Sequence, residues 1–314
     1  HAAGPLSSYS VAFDDEVGEL PMAKMVAQRG RTNHHEVRVR GANMADTVRA
    51  LVRHHDQPFG DAANIPLYLL ARELRGQLKV VLQGDGGDEV FAGYRRYNVL
   101  AFVQVWRALA KGVPLLEHLP TQRHQQRLRR FLRAVGEPDP GRMMALLMSE
   151  DAESPPPTRL LSCDLQSQLG TAPFQRYAEL ARRLSRLTPV QKMLHTDCTI
   201  LLPDYFCEKV DRATMAFSLE VRLPFLDNEL TQYVLGLPWQ LKVRRLQKKW
   251  LLRRALRGLV PDAILDAPKK GFGVPYGKWL RGPLKPLVDD SLLHGAAARD
   301  GLLDLRMCER TVQA

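Results

Sequence analysis

Apolar and polar positions alternate between two periods over the first hundred residues. Ser8-Tyr9-Ser10-Val11-Ala12-Phe13 is a short strand candidate that runs into the acidic Asp14-Asp15-Glu16, and His35-Glu36-Val37-Arg38-Val39 alternates like a half-buried strand. Leu78-Lys79-Val80-Val81-Leu82 is a more continuous apolar run ending at Gly84-Asp85-Gly86-Gly87-Asp88. Between these runs, apolar residues return at helical spacing over Leu20 to Ala27, about Asn43 to His54, and Ile65 to Leu74. Strands alternating with helices predict βα units and a parallel sheet, an α/β class.

From about Val90 the pattern reads as helix after helix, punctuated by Pro114, Pro138, Pro140, Pro203, Pro224, Pro238 and Pro261. No strand rhythm is expected there, and Pro155-Pro156-Pro157 reads as a loop. The division is therefore an α/β nucleotide-binding part over 1–110 and a mostly helical part over 111–314, packed as one unit. Leu241, Val243, Leu246, Trp250 and Leu251 form an apolar stripe read as core.

With 45% hydrophobic and 25% charged residues, the 314-residue chain has globular composition, which excludes disordered and collagen-like classes. No window approaches the ~18 apolar residues of a membrane helix, and His1 to Pro5 lacks a signal-peptide pattern, so a cytoplasmic location is expected. Cys163, Cys198, Cys207 and Cys308 show no C-x-x-C spacing, which argues against a zinc site or a disulfide framework and predicts reduced, mostly buried thiols. The net charge of +11 implies an anionic partner: nucleotide phosphates, nucleic acid or a membrane surface.

Three stretches carry candidate chemistry. Gln83 to Glu89 follows a strand, where ligands gather in parallel sheets. Its glycines let backbone N–H groups approach a phosphate, while Asp85, Asp88 and Glu89 are hard oxygen ligands for Mg²⁺ or a general base. The same residues also suit an acidic turn with Asp88 as helix N-cap. Lys209 and Arg212, beside Glu208 and Asp211, read as a solvated ion-pair face. Pro268-Lys269-Lys270-Gly271-Phe272-Gly273 holds two lysines in a loop suited to anions. The pairs His34-His35 and His54-His55 read as turn or partly buried histidines, and the basic runs at 127–133 and 244–249 as solvated faces.

The order of V-x-F (Val11 to Phe13), H-H-E (His34 to Glu36), D-Q-P-F-G-D (Asp56 to Asp61), I-P-x-Y-L-L (Ile65 to Leu70) and G-D-G-G-D-E-x-F-A-G-Y (Gly84 to Tyr94) continues downstream. There it meets K-V-D-R-A-x-M-A (Lys209 to Ala216), E-V-R-x-P-F-L-D (Glu220 to Asp227), K-x-x-L-R-x-A (Lys249 to Ala255) and P-K-K-G-F-G-V-P (Pro268 to Pro275). This series resembles the synthetase domain of the glutamine-dependent asparagine synthetase family, over nearly the whole chain. The resemblance implies an adenine-nucleotide alpha-hydrolase-like parallel sheet, ATP and Mg²⁺ as cofactors, adenylation of a carboxylate with release of pyrophosphate, and attack of ammonia on the acyl-adenylate. It implies that the strand around Val11 holds the adenine, that Gln83 and Gly84 approach the nucleotide, that Asp88 ligates Mg²⁺, and that Lys269 stabilises the reacting phosphorus. Asp61, Asn64 and Arg212 fall among residues that select the acceptor. The implied partners are a small-molecule carboxylate, ammonia from a glutaminase domain, and a second copy as homodimer, with no nucleic acid and no membrane.

The chain also departs from the family pattern. Asp85 stands where most members carry Glu, and one methylene fewer draws a carboxylate back by roughly 1.5 Å, which weakens a general base of tight reach. The phosphate-gripping S-G-G-x-D-S loop and the N-terminal glutaminase domain are absent from this sequence, which begins at His1. The expectation is thus an incomplete sheet, with a gap between the Ser8–Phe13 and Leu78–Gln83 strands where a central strand belongs, and poor ATP turnover by this chain alone. A tRNA-modifying ATPase of related fold and a non-enzymatic basic helical scaffold are the competing readings.

Overall fold

The computed structural model describes residues 4–13, 20–39, 44–110, 123–149, 157–267, 274 and 276–313. In chain order, the first elements are β1 (Ser7–Phe13), α1 (Leu20–Gly30), β2 (Asn33–Val39), α2 (Met44–His55), α3 (Asn64–Leu74), β3 (Val80–Leu82) and α4 (Gly87–Val90). Helices α5 (Arg95–Ala101), α6 (Val103–Ala110), α7 (Arg123–Gly136), α8 (Pro140–Met148) and α9 (Pro189–Thr196) come next. A π-helix over Asp197–Cys207 leads into α10 (Glu208–Met215), then β4 (Glu220–Arg222) and α11 (Asn228–Gly236).

The chain divides into two compact units that share it in alternating segments. One holds His1–Gly87, Leu201–Thr231 and Lys249–Leu284; the other holds Asp88–Ile200, Gln232–Lys248 and Lys285–Ala314. In the first unit, β1 and β2 pair in parallel with Val11 opposite Val37, and β3 and β4 pair in parallel with Val81 opposite Val221. β1 and β3 lie in separate two-stranded pairs, so no ladder joins Val11 to Val81 among the described residues.

β4 corrects the expectation that no strand follows Val90. Three residues are too few for a period of two to register in sequence, and long-range pairing defines this strand. The ladder runs one bond past β3 at each end, with Glu220 N–H donating to Lys79 O (2.9 Å) and Gln83 N–H to Arg222 O (3.0 Å). α10 packs against α2, α3 and β4, and Ala71, Leu74 and Leu219 form a small buried cluster there. The second unit closes a larger core around Tyr97, Leu100, Val135, Met143, Met193 and Leu194, drawn from α5, α7, α8 and α9. Each fully buried side chain of this size contributes about 1.5–3 kcal/mol.

Two further expectations need correction. The stripe from Leu241 to Leu251 is not one helix face: only Val243 is buried, and Leu246 is 59% exposed. Arg245 and Leu246 have φ of 49° and 64°, forming a tight turn in which Arg244 and Gln247 exchange backbone bonds of 3.0 and 2.8 Å. The cysteines are free, but Cys163 is exposed, Cys198 and Cys207 are half-buried, and only Cys308 is buried. Among the described residues, no helix is long and apolar enough to cross a membrane.

Candidate functional site

The Gly-rich turn leaves the carboxyl end of β3 in a parallel pair, the position where such sheets bind ligands. Gly86 has a φ of +91°, and a Cβ there would lie 2.5 Å from Leu226 Cγ. A Cβ on Gly87 would press on the Phe225 ring at 3.2 Å. These two glycines therefore answer to the Pro224–Leu226 turn packed against them. Gly84 has only Phe225 near its Cβ position, at 3.9 Å, so its backbone stays approachable. Gln83 Nε2 donates to Asp85 Oδ2 at 2.7 Å, which orients the carboxylate. Val11 is half-buried in the middle of β1. Asp88 lies inside the first turn of α4 instead of at its cap, and its carbonyl accepts from Gly93 N–H at 2.7 Å. Lys269 lies outside the described residues.

A second constellation joins the loop after α2 to α10, within the first unit. Lys209 is buried and pairs with Asp61 Oδ2 at 3.2 Å, while Asp61 Oδ1 accepts from Ala63 N–H at 2.9 Å. Asn64 is buried and donates through Nδ2 to His55 Nε2. The His55 ring stacks on Phe59 with centroids 4.3 Å apart and planes 5° from parallel. Its Nδ1 lies 3.8 Å from Glu208 Oε1, which also accepts from Arg212 Nε at 3.0 Å and Gln57 Nε2 at 3.1 Å. Burial pushes the His55 imidazole below its ordinary pKa, against the opposing pull of Asn64 and Glu208, so the ring is neutral near pH 7. The three acceptor candidates Asp61, Asn64 and Arg212 thus share one cluster. Sequence reading missed His55 and Glu208 as members and placed Lys209 on a solvated face; the i,i+4 spacing of Glu208 and Arg212 was the available signal.

A third group lies wholly in the second unit. Asp197 is fully buried and receives Arg96 at 2.7 Å and the Tyr97 hydroxyl. Tyr94 donates to Glu89, and Arg96 lies over the Tyr94 ring at 4.0 Å. Burial raises the pKa of Glu89 and of Asp197, and it raises both tyrosines too. Glu89 is engaged inside this network, so its carboxylate serves the fold before any ligand.

Among the described residues, no group of three or more His, Cys, Asp or Glu is arranged to hold a metal. Mg²⁺ commonly takes only one or two carboxylates and completes its shell with phosphate oxygens and water, so a site for it need not be such a group.

The Asparagine synthase family model matches residues 1–314. A putative asparagine synthetase [glutamine-hydrolyzing] of Mycobacterium tuberculosis (strain H37Rv) is 33% identical over 286 residues, covering 88% of this chain and 42% of the relative. Asparagine synthetase [glutamine-hydrolyzing] 1 of Bacillus subtilis is 28% identical over 297 residues, covering 90% and 44%. The amidase chyE of Penicillium rubens is 24% identical over 346 residues, covering 98% and 49%. The chain therefore spans less than half the length of each of these relatives.

Proposed function

Because this chain belongs to the asparagine synthase family, we propose that it is the synthetase part of an ATP-dependent ligase that amidates a carboxylate through an acyl-adenylate. Residues 1–110 serve as the nucleotide-binding part and 111–314 as the helical part of one synthetase-type domain. The observation that carries this reading is the Gln83–Gly87 turn, which combines an approachable Gly84 backbone, a φ-locked Gly86 and an oriented Asp85 at the carboxyl end of β3.

In this reading the β1 backbone around Val11 holds the adenine, and Gln83 with Gly84 lies along the nucleotide. Asp88 is the ligand for Mg²⁺, which when bound offsets charge on phosphate oxygens. The substrate carboxylate attacks the α-phosphorus, the bond to pyrophosphate breaks, and Lys269 stabilises the charge on the leaving oxygens. Ammonia supplied by a glutaminase domain then attacks the acyl carbon and displaces AMP, and Asp85 takes the proton that nitrogen loses. Asp61, Asn64 and Arg212 hold the acceptor, and the assembly is a cytoplasmic homodimer acting on small molecules.

Thermal melting of the chain with and without ATP and Mg²⁺ tests this reading. Ligand at 100 times its Kd stabilises by about 2.7 kcal/mol, a rise of several degrees in Tm. Asp88→Asn is expected to remove the Mg²⁺-dependent part of that rise. No shift with nucleotide even in a protein that carries the S-G-G-x-D-S loop ahead of these residues would overturn the nucleotide site and favour a non-enzymatic scaffold.

A further inference from the structure

The two carboxylates of the acceptor cluster differ in how they use their oxygens. Asp61 uses both carboxylate oxygens, Oδ1 for Ala63 N–H and Oδ2 for Lys209. Glu208 differs, because Arg212, Gln57 and His55 all approach the same oxygen, Oε1. Its Oε2 has no partner among the described residues, and its side chain keeps 20% of its surface exposed. Arg212 meets Glu208 through Nε, and its side chain is 45% exposed. An acceptor oxygen and guanidinium donors therefore stand side by side at the accessible edge of the cluster.

Beneath that edge lies a pair with unused capacity. His55 and Asn64 are 2% and 4% exposed, yet His55 Nδ1 and Asn64 Oδ1 make no hydrogen bond. Leaving two buried polar atoms without partners is costly, so the arrangement is not the one that stability alone selects. With Asn64 Nδ2 donating to Nε2, the imidazole proton belongs on Nδ1, the nitrogen nearest Glu208 Oε1. The Phe59 stack fixes the ring plane.

We propose that Glu208 is a specificity-determining residue of the acceptor site: its Oε2 accepts from a protonated amine on the carboxylate substrate while Arg212 takes the neighbouring carboxylate, and His55, with Nδ1 3.8 Å from Oε1, is a positioning residue that acts on that oxygen by its field and its bulk. This rests on the reading of Asp61, Asn64 and Arg212 as the acceptor site. It adds what that reading lacks, a residue that selects for the ammonium group.

The discriminating probes are L-aspartate and succinate, which differ by one amino group. Both are titrated calorimetrically into the chain in the presence of Mg²⁺ and a non-hydrolysable ATP analogue. A charge-assisted hydrogen bond predicts that the parent binds aspartate about tenfold to a hundredfold more tightly than succinate. Glu208→Gln is expected to erase that ratio by weakening aspartate alone, with succinate affinity and melting temperature unchanged. His55→Leu is expected to lower the ratio, and His55→Gln, which keeps an N–H donor, to restore part of it. Nitrogen NMR should find the proton on His55 Nδ1, with a shift that moves in Glu208→Gln. Equal binding of the two probes by the parent, or an undiminished preference in Glu208→Gln while both probes still bind, would overturn the role of Glu208 and leave the acceptor site standing. Failure of both probes to bind the parent would overturn the acceptor site itself, and this inference with it.

Discussion

Gly86 meets two independent constraints, and both are local. Its φ of +91° strains any L side chain, and a Cβ would overlap Leu226. Gly86→Ala should lose about 2–4 kcal/mol, adding backbone strain to overpacking, as read by urea denaturation. An unchanged midpoint would show that the 224–226 turn yields freely. Lys242 makes a different point about single residues. It is fully buried with Nζ donating to Leu237 O at 2.8 Å, and burial pushes its pKa down to about 8 from 10.5, with Cys198 opposing. The folded state then binds fewer protons than the unfolded state between those values, so stability rises as pH climbs from about 8 to 10.5. Lys242→Met should abolish that rise; a persisting slope would place its origin elsewhere.

At the scale of elements, the junction between α9 and the π-helix concentrates the polar chemistry of the second unit. Thr188 caps α9 with a full capping box: its side chain accepts from Gln191 N–H, and Gln191 accepts from Thr188 N–H. Thr188→Ala should cost about 1 kcal/mol. Nine residues later Asp197 opens the π-helix, and its carboxylate holds Arg96 and Tyr97 of α5. Removing one partner of a buried pair leaves the other charge uncompensated, so Asp197→Ala should cost about 3–5 kcal/mol. A loss below 1 kcal/mol would mean that water reaches Arg96. The π-helix also contains Pro203, which has no N–H to give to the helical hydrogen-bond pattern.

Over the whole molecule, the +11 charge at pH 7 sets a background repulsion that any nucleotide phosphate would partly relieve. Salt screens surface charges with a Debye length of about 8 Å at physiological strength, so moderate NaCl should raise the melting temperature at pH 7. The effect should fade near pH 9.7, where the net charge vanishes. Equal salt responses at both pH values would argue against self-repulsion. Lys242→Met is the matching control, since it removes the buried lysine's own pH dependence.

The sequence by itself determined the βα alternation, the helices near 20, 44 and 64, and the turn from Gly84 to Asp88, because each depends on periodicity or on residue types within a few positions. It also placed Asp61, Asn64 and Arg212 in one candidate set, through the order of the family-like motifs. The tertiary structure decided what depends on distant partners. β4 exists because it pairs with β3, about 140 positions away, and Gly86 is glycine because Leu226 packs on it. Lys209 reads as solvated from its helical neighbours, yet Asp61 draws it inward. His55 and Glu208 come into one cluster only when α2 and α10 pack together, since a side chain's charge and exposure follow from what the fold sets beside it.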